Sequence, residues 1–202
     1  MSIQILRDLR GLRVQVIHPP DGEGVSLVEH LRRIGCSVEA QWPVPEAFAS
    51  TADVVLLAVD SDSRDAIRKL LKTVDGIPPT IIAIVGYENP STLQLVLEAG
   101  ALAVIERPVR PFGLLTHLTL ARSLWMERQD AERRVRKLER KLAGIQKIQR
   151  AKSILIANQG LSEEDAYATI RQQAMAKRIP MEEMASAIIN ANDLLTYRGK
   201  GD

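Results

Sequence analysis

Much that usually announces chemistry is scarce in this chain of 202 residues. It has one cysteine, Cys36, which excludes an internal disulfide and fits a reducing compartment. Cys36 lies between Ile34 and Val38 and reads as a small packing residue. The three histidines, His18, His30 and His117, share no metal-ligand spacing, so no metal site is expected. There is no phosphate-binding glycine loop and no G-x-S-x-G, which removes the common nucleotide-binding and hydrolase patterns. Neither a catalytic constellation nor a cofactor is therefore expected. No apolar run approaches the roughly 18 residues that span a bilayer, and nothing resembles a signal peptide. The expectation is a cytoplasmic protein with no membrane partner.

Charge is present but uneven. Residues 1–120 hold 11 basic and 14 acidic side chains, residues 121–150 hold 10 and 4, and residues 151–202 hold 6 and 7. The positive charge sits in one stretch of thirty residues, as for a nucleic-acid contact or a solvated helix face.

Strands and helices alternate over the first 110 residues. Strands are predicted at 12–18, 37–42, 53–59, 80–86 and 101–106. Helices are predicted at 24–35, 63–72 and 90–99, with a short one in the proline-flanked "PVPEAFAS". Five strands with four intervening helices give an α/β fold, a flavodoxin-like, receiver-like, doubly wound parallel five-stranded sheet. From Phe112 to Asn158 proline is absent, and glycine occurs only at 113 and 144. With Ala121 as position a, a 3–4 spacing continues through Leu124, Arg128, Ala131, Val135, Leu138, Leu142 and Ile145. This predicts a coiled coil and a homodimer, parallel or antiparallel. Gly160 reads as the stop of that helix. Ser162 reads as the N-cap of the next, with an apolar stripe of Ala166, Ile170, Ala174 and Met175. A last helix starts at Pro180 and frays from Asn192. The whole divides into a domain at 1–111, a dimerisation helix at 112–146 and a three-helix bundle at 147–195.

The first domain resembles a phospho-receiver in frame and departs from it in content. The acidic pair of that pattern falls on His18 and Pro19, the nucleophile on Ala58, the hydroxyl on Val85 and the lysine on Arg107, before Pro108. Phosphoryl transfer depends on positioning and charge neutralisation, and these residues supply neither carboxylate nor metal cage. Asp60 remains as a displaced acceptor and Asp21 as a metal ligand, both without the usual partners.

"AKSILIANQGLSEEDAYATIRQQAMAKRIPMEEMASAII" (151–189) resembles the ANTAR domain, the RNA-binding module of bacterial transcription antiterminators. "VIHPP" (16–20), "RIGCSV" (33–38) and "WPVPEAF" (42–48) extend the likeness to AmiR-like antiterminators over essentially the whole chain. That resemblance implies binding to leader-transcript hairpins. It also implies silencing by an AmiC-like ligand-sensing repressor in place of phosphorylation. The residues suited to RNA are Lys147, Arg150, Lys152, Arg171, Gln172, Lys177 and Arg178, with Tyr167 as a stacking side chain. Two rival readings stay open: a phosphorylation-switched regulator using Asp60, and a coiled-coil scaffold or DNA-binding dimer.

Overall fold

Runs of β-branched and aliphatic residues bounded by polar loops set the sheet. The computed structural model describes residues 9–74, 76–86 and 89–198. In it β1 is Arg13–Ile17, β2 Ser37–Gln41, β3 Val54–Val59, β4 Thr80–Val85 and β5 Ala103–Glu106, all parallel in the order β2-β1-β3-β4-β5. Every residue of β3 and β4 is buried, as expected for central strands covered on both faces.

The helices are α1 (Gly22–Ile34), α2 (Arg64–Leu71), α3 (Pro90–Glu98), α4 (Pro111–Gln159), α5 (Glu163–Lys177) and α6 (Met181–Arg198). Strand side chains alternate between two cores. Val54, Leu56, Ile82 and Ile84 pack with Leu27 and Leu31 of α1 and with Leu114 and Leu118 of α4. Val55, Leu57, Ile81 and Ala83 pack with Ile67 and Leu70 of α2 and with Leu95 and Val96 of α3. Local chemistry sets the helix ends. Asp21 accepts from the Gly24 N–H, Asn89 accepts from the Thr92 N–H with Pro90 in the first turn, and Gly35 closes α1 at φ 98°.

Three expectations fail here. The segment after β2 forms no helix among the described residues, so three α-helices, not four, lie between the strands. Pro43 and Pro45 explain it, because each fixes φ and removes a backbone donor. Strand β5 begins only at Ala103. The last helix does not fray at Asn192 but runs to Arg198. Asn158 donates to Asn192 at 3.0 Å and Arg150 pairs with Asp193 at 3.2 Å, which ties that stretch down.

The chain divides into two compact units, one ending at Gln129 and the other starting at Asp130. In the second unit the C-terminal part of α4 joins α5 and α6 around Ala151, Leu155, Ala166, Ile170, Ala174, Met184, Ala185 and Ile189. Among the described residues no helix is long and apolar enough to cross a membrane.

One ion pair gives the first unit an acid-sensitive component. Asp53, just before β3, accepts from Arg13 Nε and Nη2 at 2.9 Å and from the Arg13 N–H at 3.1 Å. These bonds hold its carboxyl below the ordinary carboxylate range. A depressed folded value stabilises the fold above the unfolded pKa, about 4. The stabilisation is lost as pH falls through the folded value. Asp53→Asn should therefore lower the melting temperature by about 2–4 °C at pH 7 and by less at pH 3. An equal shift at both pH values in thermal melts would contradict this.

Candidate nucleic-acid interface and vacated phosphorylation site

The carboxyl ends of β1, β3 and β5 converge where a doubly wound sheet carries its site. Ala58 is fully buried and offers only a methyl group, and Val85 is equally apolar. His18 is buried, and its Nδ1 lies 2.8 Å from the Pro19 carbonyl. A carbonyl only accepts, so Nδ1 carries the proton. His18 Nε2 has no hydrogen-bond partner and faces Glu23 Oε2 at 3.8 Å. A Cβ on Gly24 would run into the Pro19 carbonyl oxygen and stand 2.9 Å from His18 Nδ1, so this turn requires glycine.

Arg107 occupies the centre. Its Nε lies 3.6 Å from Glu23 Oε2, and its Nη2 lies 3.6 Å from Asp60 Oδ2. Both distances are ion pairs, not hydrogen bonds, and both nitrogens lack a hydrogen-bond partner. Glu23 also accepts from the Val109 N–H at 2.7 Å. One guanidinium thus sits between a carboxylate from the first turn of α1 and one from the loop after β3. Asp60 faces a cation in place of a metal. Asp21 has its carboxylate engaged by the Gly24 N–H, which holds its pKa down. Among the described residues no three His, Cys, Asp or Glu side chains are placed to hold a metal ion.

In the second unit the structure separates the basic residues into two sets. Lys152 is 8% exposed, and its Nζ meets Glu163 Oε1 at 2.6 Å. That contact lowers the Glu163 pKa. Lys152 therefore cannot serve as a free phosphate contact: it staples α4 to the first turn of α5. Arg150 is partly committed through its pair with Asp193. Lys147, Arg171, Gln172, Lys177 and Arg178 are exposed, with no side-chain hydrogen bond or ion pair among the described residues.

On α5, Ala166, Ile170 and Ala174 face the core. At about 100° per residue, Tyr167, Arg171 and Met175 fall in a sector about 80° wide, centred about 100° from that core face, and Arg178 follows as the left-handed cap of the helix. Gln172 points about 100° away from the sector. Met175 had been expected inside the core stripe but is 69% exposed. It lies five residues after Ile170, out of helical phase with it.

The coiled-coil seam is open. Leu124, Val135, Leu138, Leu142 and Ile145 are each more than half exposed, and Ala131 is exposed too. Ala121, expected to begin the seam, is instead buried in the first unit's core. In the second unit α4 faces its bundle with Gly144, Ile148, Ala151 and Leu155, which are buried or half-buried. The seam from Ala131 to Ile145 is turned roughly 130° from that stripe, so the bundle does not consume it.

Sequence reasoning missed Glu23 and Met175. Glu23 was legible only as an acidic residue in a helix's first turn, since its partners come from distant loops. Met175 could have been placed from its helical angle.

Residues 12–122 match the family described as AmiR, N-terminal, and residues 136–189 match the ANTAR domain. The chain is similar to the aliphatic amidase regulator of Pseudomonas aeruginosa, with 33% identity over 92% of this chain and 94% of that protein. It is also similar to the transcriptional regulatory protein PdtaR of Mycobacterium tuberculosis, with 25% identity over 82% of this chain and 83% of that one. A solved structure of the response regulator StyR superposes with a TM-score of 0.56 at 17% identity, covering 89% of this chain and 98% of that one, a likeness of fold.

Proposed function

The chain belongs to the family of the aliphatic amidase regulator, with an AmiR N-terminal domain and an ANTAR domain both present, and from that premise we propose that it is a cytoplasmic RNA-binding transcription antiterminator. The observation that carries the proposal is the ANTAR match over residues 136–189, a stretch whose exposed basic side chains include Lys147, Arg171, Lys177 and Arg178, with no side-chain ion pair at these four among the described residues. Lys147, Arg171, Lys177 and Arg178 neutralise hairpin phosphates, and Tyr167 meets unstacked loop bases. Residues 112–146 dimerise through the seam, so that two bundles engage two hairpins of one leader transcript. Residues 1–111 act as a docking domain. With Ala58 where a nucleophile would stand and Arg107 already between Glu23 and Asp60, control falls to sequestration by an AmiC-like ligand-sensing repressor.

Gel-shift titration of the full chain tests this. The probes are RNA hairpins selected from a randomised-loop pool and duplex DNA of the same sequence. RNA should bind at least about 100-fold tighter, with log K falling with log salt at a slope near −2 to −3 for three or four phosphate contacts. Equal affinity for both nucleic acids would overturn the reading.

A further inference from the structure

The first unit holds a cleft at the amino ends of β3 and β4, at the other end of the sheet from the vacated phosphorylation site. Its volume is about 530 Å³, a size that suits a small organic molecule. Its lining is largely apolar. Phe48 and Val74 are half-buried, Ile77 is 52% exposed, and Trp125 contributes an indole ring.

One cation is built into this apolar setting. Arg122 of α4 is half-buried, and its guanidinium carbon lies 4.4 Å from the centroid of the Trp125 ring. Arg122 Nη1 donates to the Asp53 carbonyl and to Thr80 Oγ1, both at 3.3 Å. Trp125 Nε1 donates to the Pro78 carbonyl at 2.9 Å, which fixes the ring. The Nε and Nη2 of Arg122 meet no acceptor among the described residues, and neither is sealed from solvent.

The charge around the cleft does not balance. Asp53 is the only carboxylate among the described lining residues, and both of its oxygens are engaged by Arg13 at 2.9 Å. Two guanidinium groups thus share one carboxylate, and the positive charge left over belongs to Arg122. Burial holds the Arg122 pKa below the ordinary arginine value, and Arg13 pushes it the same way against the pull of Asp53. A guanidinium stripped of water gains from an anion that a hydrated one would not need. Its Nε–Nη2 edge matches a carboxylate through two parallel hydrogen bonds. A multiply charged phosphate matches a single guanidinium among apolar walls poorly. A monocarboxylate with an apolar body satisfies the arginine and the walls together.

We propose that this cleft binds a small organic carboxylate, with its oxygens on Arg122 Nε and Nη2 and its apolar body between Phe48, Ile77 and Trp125. The assignment concerns the first unit alone and does not depend on the antiterminator reading.

The test titrates the full chain with 3-phenylpropionate, followed by tryptophan fluorescence and calorimetry. The neutral 3-phenylpropionamide lacks the charge, and acetate lacks the apolar body. Each should bind at least about tenfold weaker. A free acid and a peptide C-terminus share this chemistry, so N-acetylglycylphenylalanine is titrated alongside. Preference for the free acid identifies a small ligand, preference for the peptide a chain terminus, and either supports the site. Arg122→Gln should weaken 3-phenylpropionate binding about 10- to 100-fold. That variant also gives up bonds that hold α4 to the sheet, so Ile77→Glu supplies an independent check. It adds a like charge at an exposed wall and should weaken the probe at least about tenfold, with the melting temperature within a degree or two of the parent. Equal affinity for acid and amide would overturn the assignment, as would binding unchanged by both variants. So would the absence of binding to the unmodified chain at about 10 mM probe. Binding that appears only in Asp75→Asn would mean that the chain supplies its own carboxylate, and would overturn it too.

Discussion

Leu138→Asp combined with Leu142→Asp should leave the chain monomeric and weaken its binding to an RNA carrying two hairpins by at least about 100-fold, with affinity for a single hairpin unchanged. Both leucines are solvent-facing in the single chain, 64% and 57% exposed, so replacing them removes nothing from either core. They lie on the seam that extends from Ala131 to Ile145 at coiled-coil spacing. Two copies would bury that seam, and each aspartate then places a carboxylate in an apolar interface. The functional loss follows from tethering. When two bundles are joined, the second hairpin binds at an effective concentration in the millimolar range, a gain of about 10²–10⁴ in avidity that a monomer forfeits. Sedimentation and paired titrations would check both halves. A double variant that stays dimeric would place the interface elsewhere.

Ile170→Ala should unfold the second unit selectively. Eight residues form its buried core, and four of them are alanines, so the bulk comes from Leu155, Ile170, Met184 and Ile189. Small side chains let the helices approach closely but leave little apolar area to lose. Removing the fully buried Ile170 side chain should cost about 2–5 kcal/mol, and Ile170→Val about 0.5–1.5 kcal/mol. The larger loss approaches the whole stability of a small domain. RNA binding should disappear with helical signal from the bundle, while near-ultraviolet signals from Trp42 and Trp125 in the first unit persist. A single unfolding transition shifted as a whole would contradict that independence.

Local periodicity carried most of the fold. The apolar runs of β3 and β4 and the long proline-free stretch of α4 were legible because burial on two faces and helical amphipathicity both leave a pattern in sequence. The helix expected after β2 was not there, because two prolines outweighed its helix-forming alanines. The site was less legible. Ala58 and Val85 could be read off as apolar replacements. The meeting of Arg107 with Glu23 and Asp60 could not, since it joins segments that only the parallel sheet brings together. Lys152 is a different kind of miss. It shares a helical face with Ile148 and Leu155, four and three residues away, so its burial was available from phase, but its charge suggested the surface. Long aliphatic stems make such burial inexpensive when the amine reaches a carboxylate, as it does at Glu163.

The measurement that bears most directly on the antiterminator reading is a titration of the unmodified full chain with two RNAs. One carries a single selected hairpin and the other carries two copies joined by a short single strand, with the mass of each complex determined. The account predicts one dimer per two-hairpin RNA, bound at least about 100-fold tighter than the single hairpin. Equal affinity for the two RNAs, or two separate chains on the longer one, would contradict it.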